Sequence, residues 1–298
     1  MSETKVKVGF IGIGTMGWPM ALNLLKAGYE VMVYDSDPAR MQLFTDTHGG
    51  IAATSLAHMA ENGFVVTMLP TGQIVREVLT EAEGGAFMNH VKAGTVVIDM
   101  SSSEPVGTQE LSRKLATMDV SLVDAPVSGA LPRATTGTLT IMAGGDDRDA
   151  IEAARPLLLT MGNRVFDTGG SGSGHAVKAL NNYIAATAYV ACSEAVLVAK
   201  KFGLDPYTLI DVVNVSTGKC FISEVVMQEH VLDEKFATGF ALGLLAKDVK
   251  IAAQLCEAVN LDAPLAQLVS ERWAQARDTL GYQADNSEAI KAWDTPRS

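Results

Sequence analysis

A strand-like run, Val6 to Ile11, ends on Gly12-Ile13-Gly14-Thr15-Met16-Gly17, and a helical pattern opens on the last of these glycines and continues to Ala27. This G-x-G-x-x-G junction constrains the chain more than any other feature. The first glycine permits a tight turn, the second lets a pyrophosphate come against the backbone, and the third lets helix and strand pack closely. The helix then begins with N–H groups that have no partner within it and with a partial positive charge, which together make a seat for phosphate. A glycine-rich turn alone is weak evidence, because it also serves as a plain turn. Here its context decides. The next strand, Glu30 to Tyr34, leads into Asp35, at the roughly 20-residue distance where an acidic side chain meets ribose hydroxyls. Gly12, Ile13, Gly14, Thr15, Met16, Gly17 and Asp35 are therefore read as a dinucleotide site. A carboxylate at position 35 repels the 2′-phosphate of NADP and no arginine follows at once, so NAD is the expected cofactor. NADP comes second, with Arg40 as the residue that would assist it.

Strands and helices alternate after that junction. Apolar runs at Phe64 to Leu69, Thr95 to Met100, Ser121 to Ala125, Thr138 to Ala143 and Arg164 to Thr168 read as further strands, with helical segments between most of them. Such alternation predicts a parallel sheet covered on both faces. The pattern changes at the glycine- and serine-rich segment Gly169 to Gly174. Beyond it strand signals nearly vanish, and helices are expected over 175–201, 206–216, 240–259 and 264–280. The fold expected is α/β: a Rossmann-type parallel-sheet domain over residues 1–168, then an all-α domain over 169–298. The apolar helix at 175–201 suggests burial, in part against a second copy of the chain in a homodimer or homotetramer. The polar tail, 281–298, reads as loosely held. No internal repeat is present.

Composition removes several classes of function. The formal charge of the 298 residues is −11, so nothing draws the chain as a whole to nucleic acid or anionic lipid. No uninterrupted apolar stretch of about 18 residues occurs, so no membrane span is expected. Cys192, Cys220 and Cys256 are far apart, and the five histidines lack ligand spacing; reduced thiols and no metal site are expected. With no leader-like segment at the start, the expectation is a cytoplasmic protein.

Moving a hydride to or from a carbon that bears oxygen requires a matching proton transfer. The segment Gly174-His175-Ala176-Val177-Lys178-Ala179-Leu180-Asn181-Asn182 supplies candidates. Lys178 and Asn182 are four apart and share a helix face. A lysine early in an apolar helix is unusual, and burial would bring its proton exchange toward neutral pH. The spacing alone leaves two other readings open: a surface lysine that snorkels, and His175 as a rival base, for which structural packing or local capping is the preferred reading.

Four separated motifs make the chain resemble the β-hydroxyacid dehydrogenase family, whose members include 3-hydroxyisobutyrate dehydrogenase, tartronate semialdehyde reductase and the glyoxylate/succinic semialdehyde reductases. They are Gly9 to Gly17, Asp124-Ala125-Pro126-Val127-Ser128-Gly129-Ala130, Gly174 to Asn182, and Lys247-Asp248. The resemblance covers nearly the whole chain. It implies a small hydroxy acid or semialdehyde as substrate and Lys178 as the acid/base group. It implies Ser128, Gly129 and Ala130 as donors to the substrate carboxylate, with Asn182 orienting the substrate or Lys178. Lys247 is similar to the lysine that approaches the nicotinamide end of the cofactor. Leu69-Pro70 matches the strand end on the adenosine side, and Ser102 a position near the nicotinamide ribose. Lys219 and Phe221 are expected to line the pocket.

The chain departs from the family at the substrate loop. Ala130 stands where glycine is usual, and Arg133 adds a cation that either faces solvent or reads a second anionic group on the substrate. Imine reductases share the architecture but usually carry Asp or Tyr where Lys178 stands. 6-Phosphogluconate dehydrogenase is longer and needs phosphate-binding groups not found here. A silent dinucleotide-binding protein would be expected to have lost the lysine.

Overall fold

The computed structural model describes residues 6–294. Nine strands are present among them: β1 (Lys7–Ile11), β2 (Glu30–Tyr34), β3 (Ile51–Ala52), β4 (Phe64–Thr67), β5 (Val96–Asp99), β6 (Ser121–Asp124), β7 (Val127–Ser128), β8 (Leu139–Gly144) and β9 (Gly162–Gly169). The helices up to residue 161 are α1 (Gly17–Lys26), α2 (Pro38–His48), α3 (Leu56–Met59), α4 (Gly72–Thr80), α5 (Ala82–His90), α6 (Pro105–Ala116), α7 (Ala130–Thr136) and α8 (Arg148–Met161). Then follow α9 (Ser173–Phe202), α10 (Pro206–Asn214), a π-helix (Ile222–Leu232), α11 (Leu242–Ala258), α12 (Pro264–Leu280), a 3₁₀ turn (Asn286–Glu288) and α13 (Ala289–Trp293).

The strands form one sheet in the order β3-β2-β1-β4-β5-β6-β8-β7, with β9 also on β8. β3 through β6 are parallel in it. β6 and β7 run antiparallel to β8, which takes β9 in parallel. The parallel strands read as near-continuous apolar runs because both faces are covered. Val8 and Phe10 of β1, Val31 and Val33 of β2, and Val96 and Ile98 of β5 point into one core. Ile11, Met32 and Val97 point into the other. This is the period-two alternation of a strand shared between two buried layers. β3 and β7 are two-residue strands, too short for an apolar pattern to announce.

The chain divides into two compact units, residues 1–178 and 179–298. The sequence places a boundary at residue 168, where the strands end. The division instead falls inside α9, because the first turn of that helix is hydrogen-bonded to the sheet unit, as described below.

The second unit is helical around Tyr189, Trp273 and Trp293, whose ring centroids lie 5.3 to 6.0 Å apart. Its expected loose tail is not loose. Ala289, Ile290, Ala292 and Trp293 are buried in this core, and the Tyr189 hydroxyl donates to the Ser287 carbonyl at 2.6 Å. Asp285 closes a capping box with Glu288. Sparse apolar residues hid the segment: one tryptophan and three small or branched side chains suffice to dock it. Expected tail positions 295–298 lie outside the described residues. The π-helix also carried no sequence signal.

By length and composition α9 could cross a membrane, with 39% of its most apolar window buried. The expectation of no span is narrower than it first reads, because polar interruptions do not lower the mean hydropathy enough. Ala186, Tyr189, Val196 and Leu197 of α9 build the helical core, as a core helix of a globular unit does. Ile184, Val198 and Phe202 of the same helix are exposed.

Candidate active site

In a doubly wound sheet the ligand crevice forms at the carboxyl ends of the strands where the strand order reverses. Here that point lies between β1 and β4. Gly12 follows β1 with φ +92°, and a side chain there would run into the Met68 carbonyl beyond β4. A side chain at Gly17 would run into the Gly12 carbonyl. Gly14 differs, since a Cβ there would meet only Arg40 Nη1, at 3.9 Å. The middle glycine is thus open for a ligand, while the outer two are required by the fold. The N-cap of α1, Met16, supplies no side-chain hydrogen bond, and the Trp18 N–H of the first turn goes to the Gly14 carbonyl at 3.0 Å. These features fit a dinucleotide.

Asp35 follows β2 and is tied to the loop. Its Oδ2 accepts the Ile13 N–H at 2.9 Å and its Oδ1 the Asp37 N–H at 3.0 Å. Arg40 Nη1 lies 3.6 Å from Asp35 Oδ1 and Nη2 3.8 Å from Asp37. Thr15, Trp18, Leu22, Arg40 and Leu131 line the adjoining groove. Beyond β4, the Leu69 N–H donates to Ser101 Oγ at 2.9 Å, and the Leu69 side chain lies against Gly12. Pro70 is exposed and Ser102 half-buried.

The turn between β7 and α7 carries Ser128, half-buried, Gly129 at φ +137° and Ala130 at φ +54°. Ala130 is thus a side-chain-bearing residue in the left-handed region, where glycine costs less. The Arg133 stem folds back over this turn: a Cβ on Gly129 would lie 2.5 Å from Arg133 Cδ and 2.7 Å from its Cβ. The arginine itself is exposed.

The first turn of α9 is capped from a distance. Asp124, at the end of β6, accepts the Gly172 N–H on Oδ1 at 2.8 Å and the His175 N–H on Oδ2 at 3.1 Å. A side chain at Gly174 would fall 2.8 Å from the Asp124 carbonyl, which explains the glycine. Lys178, half-buried, is one turn further on, with Asn182 a turn beyond. Within the second unit the Asn182 amide donates to Asp248 Oδ2 at 2.7 Å, and Lys247 Nζ lies 3.5 Å from Asp248 Oδ1. Asp248 is therefore the residue that brings Asn182 and Lys247 together, and it is buried. Lys219 pairs with Glu224 at 2.8 Å and Phe221 is exposed.

Sequence reasoning missed Asp99 and Thr108, the residues against which His175 packs. Asp99 and Asp124 each end an apolar strand with a buried carboxylate, a signal present in the sequence but unspecific, since solvated aspartates also end strands. The cysteines are free and half-buried. Burial, with Cys220 adjacent, pushes the Cys192 thiol up to about 12, so it stays a thiol at neutral pH. Among the described residues no group of three or more His, Cys, Asp or Glu is placed to hold a metal.

Comparison with known proteins bears on these features directly. Residues 7–170 match the model of the NAD-binding domain of 6-phosphogluconate dehydrogenase. Residues 172–293 match that described as NAD-binding of NADP-dependent 3-hydroxyisobutyrate dehydrogenase. The chain is 32% identical over 292 residues to 2-(hydroxymethyl)glutarate dehydrogenase of Eubacterium barkeri, covering 98% of this chain and 96% of that one. It is 37% identical over 256 residues to human mitochondrial 3-hydroxyisobutyrate dehydrogenase, covering 84% and 75%. A solved structure of Mycobacterium tuberculosis 3-hydroxyisobutyrate dehydrogenase with L-serine superposes with a TM-score of 0.88 at 29% identity, covering 98% and 100%. An imine reductase from a Pseudomonas species, at 15% identity and a TM-score of 0.59, shares the fold alone.

Proposed function

Because the chain belongs to the β-hydroxyacid dehydrogenase family, we propose that it interconverts a small 3-hydroxy acid and its semialdehyde with NAD, and that Lys178 is the acid/base group. The observation that carries this reading is the joint presence of the open Gly14 cradle, Asp35 on the Ile13 N–H, and a half-buried lysine one turn into the helix that Asp124 caps. The dinucleotide, when bound, supplies the hydride acceptor, or the donor in reverse.

The remaining steps belong to the chain's own groups. Gly12, Gly14, Thr15, Met16 and Gly17 present backbone to the pyrophosphate, and Asp35 has lone pairs left for ribose hydroxyls. Leu69, Pro70 and Ser102 border the cofactor. The Ser128 hydroxyl and the Gly129 and Ala130 backbone hold the substrate carboxylate. Lys178 Nζ, as the neutral amine, takes the hydroxyl proton as the C–H bond breaks; as the ammonium it returns that proton to the oxygen in reduction. Asn182, held by Asp248, keeps that helix face in place. Lys178→Ala is expected to lower kcat by about 10²- to 10⁴-fold with NADH affinity retained, measured by nicotinamide absorbance and a fluorescence titration. Near-parental turnover would remove the assignment.

The finer substrate reading is a hydroxy acid with a second anionic group, met by Arg133. Its support is the folded-back stem over Gly129 and the relative named for 2-(hydroxymethyl)glutarate, a dicarboxylate. The imine reductase reading is the weaker one, because Lys178 stands where those enzymes usually have Asp or Tyr.

A further inference from the structure

Asp99 and Asp124 are register partners at the ends of the parallel strands β5 and β6, so two carboxylates sit side by side. They are 2% and 0% exposed. Asp99 accepts the Thr67 hydroxyl at 2.9 Å and the Ser101 N–H at 3.0 Å on Oδ1, and the Ser103 hydroxyl at 2.8 Å on Oδ2. Two buried carboxylates side by side need hydrogen-bond donors around and between them.

The His175 ring lies there, fully buried, with Nε2 3.6 Å from Asp99 Oδ2 and Nδ1 3.9 Å from Asp124 Oδ2. Its Nδ1 is hydrogen-bonded to Thr108 Oγ1 on α6 at 2.8 Å, and Thr108 Oγ1 also lies 3.1 Å from the Glu104 carbonyl oxygen. Nε2 has no hydrogen-bond partner and is buried. The backbone N–H of the same residue goes to Asp124, and Ser171 ties the preceding loop to Ser112 of α6 at 2.9 Å. The first turn of α9 is thus fastened to β6 and α6, with the His175 ring also set against Asp99 of β5.

We infer that His175, anchored by Thr108 between Asp99 and Asp124, is the positioning residue for Lys178. Lys178 is one helical turn from the ring, so a tilt of the first turn is carried to the end of a long side chain. His175 itself exchanges no proton with the substrate. This rests on the reading of Lys178 as the acid/base group.

The test compares Thr108→Val, which removes the hydrogen-bond partner of Nδ1 at nearly constant volume, with Thr108→Ser, which restores it, and with His175→Ala and Lys178→Ala. Thr108→Val and His175→Ala are expected to lower kcat roughly 10- to 100-fold while NADH dissociation constants stay within about twofold, and Thr108→Ser to return most of the loss. Parental kcat in both Thr108→Val and His175→Ala overturns the inference. So does a proportional loss of kcat and NADH affinity, which marks general loosening. Should His175→Ala fail to fold, the Thr108 pair decides alone. Parental turnover in Lys178→Ala overturns the reading of Lys178 and this inference with it. An inactive Lys178→Ala beside parental Thr108→Val and His175→Ala overturns the inference alone.

Discussion

Arg133 shows what one side chain on a turn can contribute. Its methylenes cover Gly129, as expected of a helical side chain leaning toward the helix N-terminus. In a chain of net charge −11, a doubly anionic substrate meets long-range repulsion, and a local fork of donors offsets it at the point of contact. Losing a hydrogen bond to a charged group weakens binding by about 1.5–3 kcal/mol. Arg133→Ala should therefore reduce the ratio of kcat/KM for 2-(hydroxymethyl)glutarate to that for 3-hydroxyisobutyrate by roughly 10- to 100-fold. An unchanged ratio would place the arginine in solvent. Ala130 is the second departure from the family at this turn, and its positive φ gives a local strain of about 1–2 kcal/mol that glycine would relieve.

At the scale of the element, what stands out is where helix ends find their partners. α8 is capped in the ordinary way by Asp147, whose Oδ1 accepts the N–H groups of Asp149 at 3.0 Å and Ala150 at 3.2 Å. The Ser121 hydroxyl beside it, with those N–H groups, holds the carboxyl below its usual 3.8. A carboxylate depressed in the folded state adds stability that is complete above the unfolded value and is lost as pH falls through the folded one. Asp147→Ala should cost about 1 kcal/mol at neutral pH, and the difference between variant and parent should shrink as the solution is taken below pH 3.8. Denaturant melts at a series of pH values would check this; a gap that persists into acid would mean the loss came from packing. α9 has instead a cap supplied across the fold by Asp124. Local spacing announces the first kind of cap and cannot announce the second.

For the whole molecule the question is which dinucleotide the first unit takes. Asp35 is held by Ile13 and accompanied by Arg40 at 3.6 Å, so the arginine is already paired with the carboxylate rather than presented to a 2′-phosphate. NADH at 100 times its dissociation constant should stabilise the protein by about 2.7 kcal/mol, a rise in melting temperature of roughly 5–10 °C. NADPH at the same concentration should give less than about half that shift. Equal shifts would retire the NAD preference. The two-part architecture, the phosphate-binding turn and the family were legible in the order of residues alone. Each of these is written in short range: glycines at fixed spacing, a strand period of two, a run of helical residues. Only the tertiary structure decided that His175 lies between Asp99 and Asp124, that Asn182 and Lys247 meet at Asp248, and that the polar tail docks through Trp293. Those pairings join residues tens to more than a hundred positions apart. Their partners are selected by burial, where an unsatisfied polar group is costly, and burial is a property of the packed chain rather than of any stretch of it.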